Sequence, residues 1–491
     1  MPRTASLPIF LEAGRGNLQQ QIYRSIRQCI VDGRVSGDRR LPSTRSLAAD
    51  LGVSRTTTLL ALEQLRAEGY ITSRRGAGNF IASRLPGDRA PQAAAVAETI
   101  ARPPFSRRGQ QLAKLAAPDR RISGTPPRAF RLGTPALDLF PNRLWAQLTR
   151  ECLRRTTPGQ RDYSQLAGLT ALREAIAEQV QVRGTRCSAA QVQVVMGAQR
   201  GLDLVARMLL DPGDVALLED PGYPGARGAM LAASAEVRPV SVDAQGMDIL
   251  GAESSEAVPR LAYVTPSCQF PLGMPMSIER RRALLDWARR SQAWIVEDDY
   301  DCDIRHDREP LPCLHAMDPD GRVIYLGTFS KTLFPALRLG FLIAPRDLHD
   351  GFVAARLATD LHPPVLEQRV LAAFIQRGHY DRHLRRMQAA YAERLDALRR
   401  ALARSGGPFK LRPVQAGMHA VVDVEGVSAE RVHEAALASG IETMPLSAYY
   451  RGEAPRPNAL LLGFGAVTPA AIRAGVMRLV RAAESAPVMR T

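Results

Sequence analysis

The chain has 491 residues, 45% of them apolar, and a net charge of +16 at neutral pH. Its length predicts about three domains, and its apolar fraction is enough for a large core. No run of about 18 uncharged apolar residues is present, which argues against a membrane span, and "MPRTASLPIFLEAGRG" lacks the apolar stretch of a signal peptide.

Six cysteines (29, 152, 187, 268, 302 and 313) are scattered, with no C-x-x-C and no His at zinc spacing. That pattern predicts reduced thiols in a cytoplasm, with neither disulfides nor a metal site. The positive charge suggests a polyanionic partner, although an Arg-rich composition alone would also give it. Residues 1–90 hold 14 Arg against 7 Asp and Glu, a net +7.

In chain order, "LQQQIYRSIRQCIVDGR" places Leu18, Ile22, Ile26 and Ile30 on one helical face. "LPSTRSLAADLGVSRTTTLLALEQLRAEGY" reads as two short helices. Pro42 stops the chain and Ser43 caps a helix to Leu51; Gly52 and Val53 turn; Ser54 caps a second helix from Arg55 to about Glu68. Leu47, Leu51, Leu62 and Leu65 would lock the pair, and "YITSRRGAGNFIA" would form a hairpin wing around Gly76 and Gly78. Such a winged helix-turn-helix presents the start of its second helix to the major groove of double-stranded DNA. Ser54, Arg55, Thr56 and Thr57 are there to reach base edges and phosphates, with Arg45, Arg74, Arg75 and Gly76 at the backbone. Over nearly its whole length this stretch resembles the winged helix of GntR-type bacterial regulators. The resemblance implies dimeric binding to an operator with paired half-sites.

Residues 85–127 are rich in Pro, Ala and Arg without a sustained apolar face, and read as a linker. From about 128 onward, "VQVVMG", "DVALLEDPGY", "RLAYVTPS", "AWIVEDDYD" and "RVIYLGTFS" are apolar runs ending in polar or glycine-containing residues. They predict a buried parallel or mixed α/β sheet, with chemistry beyond the strand C-termini.

One of those ends carries Lys331, in a chain with 62 Arg and only three Lys (114, 331 and 410). An amine that loses its proton cheaply can form a Schiff base with a carbonyl, and pyridoxal 5'-phosphate (PLP) is the commonest such partner. PLP wants a carboxylate at its pyridine nitrogen, a ring above it, a hydroxyl partner, and amides, hydroxyls and an Arg for its phosphate. Asp298 and Tyr300 could serve the nitrogen and the ring hydroxyl, and Tyr223 could stack. Gly197, Ala198 and Gln199 sit at a strand-to-helix turn, Thr328 and Ser330 flank Lys331, and Arg338 follows it.

"GAQRGLDL", "LLEDPGYPGAR", "YVTPSCQFPLG", "VEDDYDCDIR" and "GTFSKTLFPALRLGF" together resemble fold-type I aminotransferases. They look most like the aminotransferase-like domain of MocR-type regulators. The resemblance implies a Schiff base between Lys331 and PLP. It also implies a mixed, mostly parallel α/β major domain over 128–491, with a large part at about 160–375 and a small α+β C-terminal part at about 376–491. A winged helix-turn-helix over 1–84 precedes it. A head-to-tail homodimer is implied too, each winged helix near the partner's PLP-binding domain.

Two positions depart from the family pattern. Cys268 stands where many relatives have His. Leu461, in "NALLLGFGAV", stands where aminotransferases place the Arg that clamps a substrate carboxylate. Arg451 and Arg456 lie on a loop from which a guanidinium could reach inward. The expected function is a cytoplasmic bacterial transcription factor that senses PLP or a PLP–amine adduct, without physiological turnover. The alternative is a working amino-acid aminotransferase carrying a DNA-binding module.

Overall fold

The computed structural model describes residues 9, 11, 17–35, 39–74, 77–83, 85–86, 105–115, 127–181, 184–251, 258–301, 303–306, 311–452 and 455–485. The chain forms two compact units, Met1–Pro104 and Phe105–Thr491.

In the first unit, α1 (Leu18–Val31) starts at Asn17 and buries Ile22, Ile26 and Ile30, while Leu18 stays 41% exposed, so the apolar face begins one turn later than its spacing suggests. α2 (Thr44–Leu51) and α3 (Arg55–Ala67) start at the predicted caps. Ser43 Oγ accepts from Ser46 N at 3.1 Å and Ser54 Oγ from Thr57 N at 3.0 Å. Between them Gly52 has φ +64°, a conformation cheap only for glycine. β1 (Ile71–Arg74) and β2 (Gly78–Ile81) pair antiparallel as the wing. Leu47, Leu62 and Leu65 pack on Ile22 and Ile26; each such burial contributes about 2 kcal/mol. Leu51 is only partly buried at the rim of that core.

The second unit contains a helix the sequence did not suggest: α4 (Arg107–Ala113), inside the predicted linker. After it come α5 (Asn142–Arg154), α6 (Thr170–Gln181), β3 (Val192–Val195), α7 (Ala198–Leu209), β4 (Val215–Asp220), α8 (Pro224–Ala232), β5 (Glu236–Asp243) and β6 (Gly246–Met247). β7 (Leu261–Val264), α9 (Ile278–Arg290), β8 (Trp294–Asp298), α10 (Leu314–Met317), β9 (Val323–Thr328), β10 (Gly340–Ile343), α11 (Arg346–Ala355) and α12 (Val365–Gln376) complete the large part.

Among the described residues its sheet runs β3-β10-β9-β8-β7-β4-β5-β6, with β9, β8, β7, β4 and β5 parallel and β10 antiparallel to both neighbours. β3, β4, β7 and β10 are buried at every position, as strands covered on both faces must be. This is the mixed, mostly parallel sheet expected.

The small part follows Gly378: α13 (His379–Ser405), β11 (Phe409–Leu411), β12 (His419–Val424), α14 (Ala429–Ala438), β13 (Met444–Pro445), β14 (Ala459–Gly463) and α15 (Pro469–Ser485), with strand order β11-β12-β14-β13. Two features differ from the limits set at 160 and 376. α5 packs on α12 and so belongs to the large part. Ala129, Phe130 and Ala136 lie in the core of the small part, and Phe130 bridges to Gly463. A segment just after the linker thus supplies a piece of a sheet more than 300 residues away, a pairing that local sequence pattern cannot reveal. Among the described residues no helix is long and apolar enough to cross a membrane.

Candidate functional site

β8 runs in the middle of the sheet and ends at Asp298, which is 5% exposed. Its Oδ2 accepts from Tyr263 OH at 2.7 Å; Tyr263 lies on the neighbouring strand β7. Its Oδ1 is buried with no hydrogen-bond partner. Burial raises this carboxyl to about 6, with Asp299 adding to the rise and Tyr263 and Lys331 opposing it. A buried carboxylate oxygen left without a donor costs free energy and suits a cationic N–H.

β9 delivers Thr328, Ser330 and Lys331 to the same end. Ser330 N donates to Thr328 Oγ1 at 3.2 Å, and Lys331 Nζ donates to Gly133 O at 2.9 Å. Arg338 has φ +52°; its guanidinium donates to Met196 O at 3.1 Å and covers Gly197. At Gly197 φ is +80°, a conformation that favours glycine, and an added Cβ would crowd the Arg338 guanidinium at 3.1 Å from Nη2. Gly197 opens α7, whose first-turn amides at Ala198 and Gln199 have no partner within the helix. Together with Arg338 this makes an anion cradle.

Tyr223 caps α8 and meets Phe270 edge-on, with ring centroids 5.9 Å apart. Tyr300 is half-buried and donates to Cys268 Sγ at 3.6 Å. Burial holds the Cys268 thiol above the ordinary range, so it is a neutral small side chain and not a nucleophile.

These residues surround one cavity of about 260 Å³. Ala198, Gln199, Tyr223, Asp298, Tyr300, Thr328, Ser330, Lys331 and Arg338 all line it, and Gly197 lies under Arg338 just behind. Sequence reasoning missed Gly133, Tyr263, Asp301 and His419, which line it as well. Tyr263 could have been found only by knowing that β7 neighbours β8. His419 comes from the small part and reaches Pro271 O of the large part at 2.8 Å, and no local signal marks it. Asp301 is buried, pushed up to about 7 by desolvation and held down by Lys331, so two carboxyls face one amine.

Arg338 is the cavity's one guanidinium among the described residues. Leu461, on β14, is fully buried among Leu132, Val421, Leu446 and Tyr449. Arg451 and Arg456 do not line the cavity; Arg451 Nη1 donates to Tyr450 O at 2.8 Å. The loop therefore does not bring in the missing guanidinium.

In the first unit, Arg45, Arg55 and Thr56 are exposed. Ser54 and Thr57 are turned toward each other, with hydroxyls 2.7 Å apart, and serve the helix cap. The Arg74 guanidinium lies over the Phe80 ring at 4.6 Å. Arg75 and Gly76 fall outside the described residues.

Residues 18–81 match the gntR family of bacterial regulatory proteins, and 132–478 match aminotransferase class I and II. The chain is 40% identical, over 94% of its length and 93% of the relative's, to the probable rhizopine catabolism regulatory protein MocR of Rhizobium meliloti. It belongs to the MocR-type transcriptional regulators. Another relative, 31% identical over 94% of this chain and 95% of its own length, is the pyridoxine biosynthesis transcriptional regulator PdxR of Corynebacterium glutamicum. Among solved structures, the α-aminoadipate aminotransferase LysN of Thermus thermophilus, complexed with N-(5'-phosphopyridoxyl)-L-leucine, is 28% identical with a TM-score of 0.66, over 77% of this chain and 95% of its own.

As a MocR-type regulator the protein binds DNA through its helix-turn-helix. Replacing Arg55 with Ala is expected to weaken binding roughly 10-fold and to relax base preference. Arg45→Ala should weaken binding evenly across sequences and lower the salt slope by about 1. Fluorescence anisotropy across salt concentrations, on DNA enriched from a random pool, checks both.

Proposed function

We propose that this regulator holds PLP in the cavity around Lys331 and that occupancy of the cavity changes its hold on DNA. The observation that carries the reading is Asp298 Oδ1, buried and unpartnered in the wall of a cavity that is also lined by a lysine amine and an anion cradle. A relative named for pyridoxine biosynthesis and a neighbour complexed with a phosphopyridoxyl adduct support it.

When bound, PLP supplies an aldehyde carbon that is an electrophile for primary amines. Lys331 supplies the amine. Asp298 keeps a proton on the ring nitrogen, Tyr223 covers the ring, and Tyr300 serves the ring oxygen. Ala198 and Gln199 amides, Thr328, Ser330 and Arg338 take the phosphate. With a leucine in place of the carboxylate clamp, an amino acid is poorly oriented, so the reading is a sensor of PLP or of an adduct with an amine carrying a different acidic group. DNA binding by a head-to-tail dimer on paired half-sites fits this reading. A shift in DNA affinity is limited by the ligand's preference between the two arrangements of the protein.

PLP titration tests the site through its pH dependence. Asp298 is raised to about 6 without ligand, and a ring N–H beside it favours the ionised carboxylate. PLP binding therefore requires the charged form: affinity is full above about 6 and falls by up to about tenfold per unit below it. Asp298→Asn should bind roughly 10- to 100-fold more weakly, consistent with loss of a charge-assisted bond, and should lack this Asp-dependent slope. The sensing half is tested by the DNA affinity of the full chain with and without PLP; equal affinities would sink it.

A further inference from the structure

α4 has seven residues, and isolated helices shorter than about 12–15 residues are marginal in water. Ser106 Oγ caps it, accepting from Gly109 N at 3.1 Å, but none of its side chains is buried. Gly109 and Leu112 are half-buried, and α4 packs on α8. Just beyond it, Leu115 lies against Gly228 of α8, where an added Cβ would come within 3.2 Å of Leu115 Cδ1. The order of α4 is thus lent by α8 through a small contact.

α8 is also a wall of the cavity. Its cap is Tyr223, and the ring of Tyr223 folds over Gly225 in the first turn so closely that a Cβ there would stand 2.5 Å from ring carbons. Gly225 O accepts from Gln199 Nε2 at 2.9 Å, and Gln199 lines the cavity beside the anion cradle. The Tyr223 ring thus rests directly on the first turn of α8, and a ligand that presses on the ring presses on that turn.

We infer that α4 is a docking element whose attachment to α8 responds to what occupies the cavity. The inference rests on the cofactor reading above. Ligand contacts at Tyr223 and Gln199 bias the position of α8, and α8 holds or releases the described part of the segment that leads, in sequence, to the DNA-binding region. On this inference the short, shallowly docked α4 is the two-state element that such coupling needs.

Amide hydrogen exchange of the full-length protein, with and without PLP, tests it. Exchange at residues 109–115 should change at least about fivefold on PLP binding, alongside new protection at Ala198 and Gln199. Protection at the cavity with unchanged exchange at 109–115 would overturn the inference while leaving the cofactor reading intact. No response at either place would remove both. A double variant, Leu112→Asp with Leu115→Asp, lies outside the cavity and should bind PLP as the wild type does but lose the PLP-dependent shift in DNA affinity. A variant that keeps the full shift would count against the relay. A wild type whose α4 responds while its DNA affinity does not would sustain docking and sink sensing.

Discussion

Lys331→Ala is expected to lose covalent capture of PLP altogether. The near-ultraviolet and visible band that PLP gives on the wild type should be absent, and affinity by equilibrium dialysis should fall roughly 100-fold or more. Two effects combine. The variant lacks the amine, and neither Lys114 nor Lys410 lines the cavity to replace it. Lys331 is also the cation that opposes the upward shifts of Asp298 and Asp301, so without it both carboxyls move further up. Asp298 then spends more of its time protonated at neutral pH, when it is needed as a carboxylate. A wild-type band in the variant would mean that the wrong residue has been assigned.

The second large effect concerns Leu461. Half-transamination of the wild type with α-amino acids should run on the order of 100-fold below that of an enzyme with a carboxylate clamp, because misoriented substrates lose about that much. Leu461→Arg should not restore it simply. The side chain would enter a fully buried apolar cluster formed by Leu132, Val421, Leu446 and Tyr449. An unpaired buried charge costs about 3–5 kcal/mol, so the variant should unfold at markedly lower temperature. Rapid turnover by the wild type would favour the aminotransferase reading instead, and an undisturbed melting curve for Leu461→Arg would mean that the guanidinium finds a partner at that position.

What the sequence could convey followed the range of each interaction. Ser43 and Ser54 cap helices within three residues of themselves, so their roles were legible locally. Lys331, Asp298, Tyr223 and Gly197 sit at strand ends, and strand ends are readable from apolar runs. That Lys331, Asp298 and Tyr223 line one cavity, with Gly197 just behind it, follows from the sheet order, which spacing alone did not give. Tyr263 and Gly133 belong to the same cavity but depend on which strand lies beside β8 and on where residues 129–136 return. α4 escaped notice because Leu112 and Leu115 are too few to draw an apolar face. Its partner is α8, over 100 residues away.

Phe130 is fully covered in the finished protein, yet its partner Gly463 is made more than 300 residues later. During synthesis the segment around Phe130 therefore lacks this partner until more than 300 further residues have been made. Contacts of such sequence separation are slow to close, and apolar surface held open in the meantime is prone to aggregate. The same threading means that residues 376–491 alone would lack Ala129, Phe130 and Ala136 from their core, so an excised small part is expected to be less stable than it is in the chain. Maturation of the cavity is accordingly one of the last events in the life of the nascent chain, since Gly133, which touches Lys331, belongs to the segment that waits.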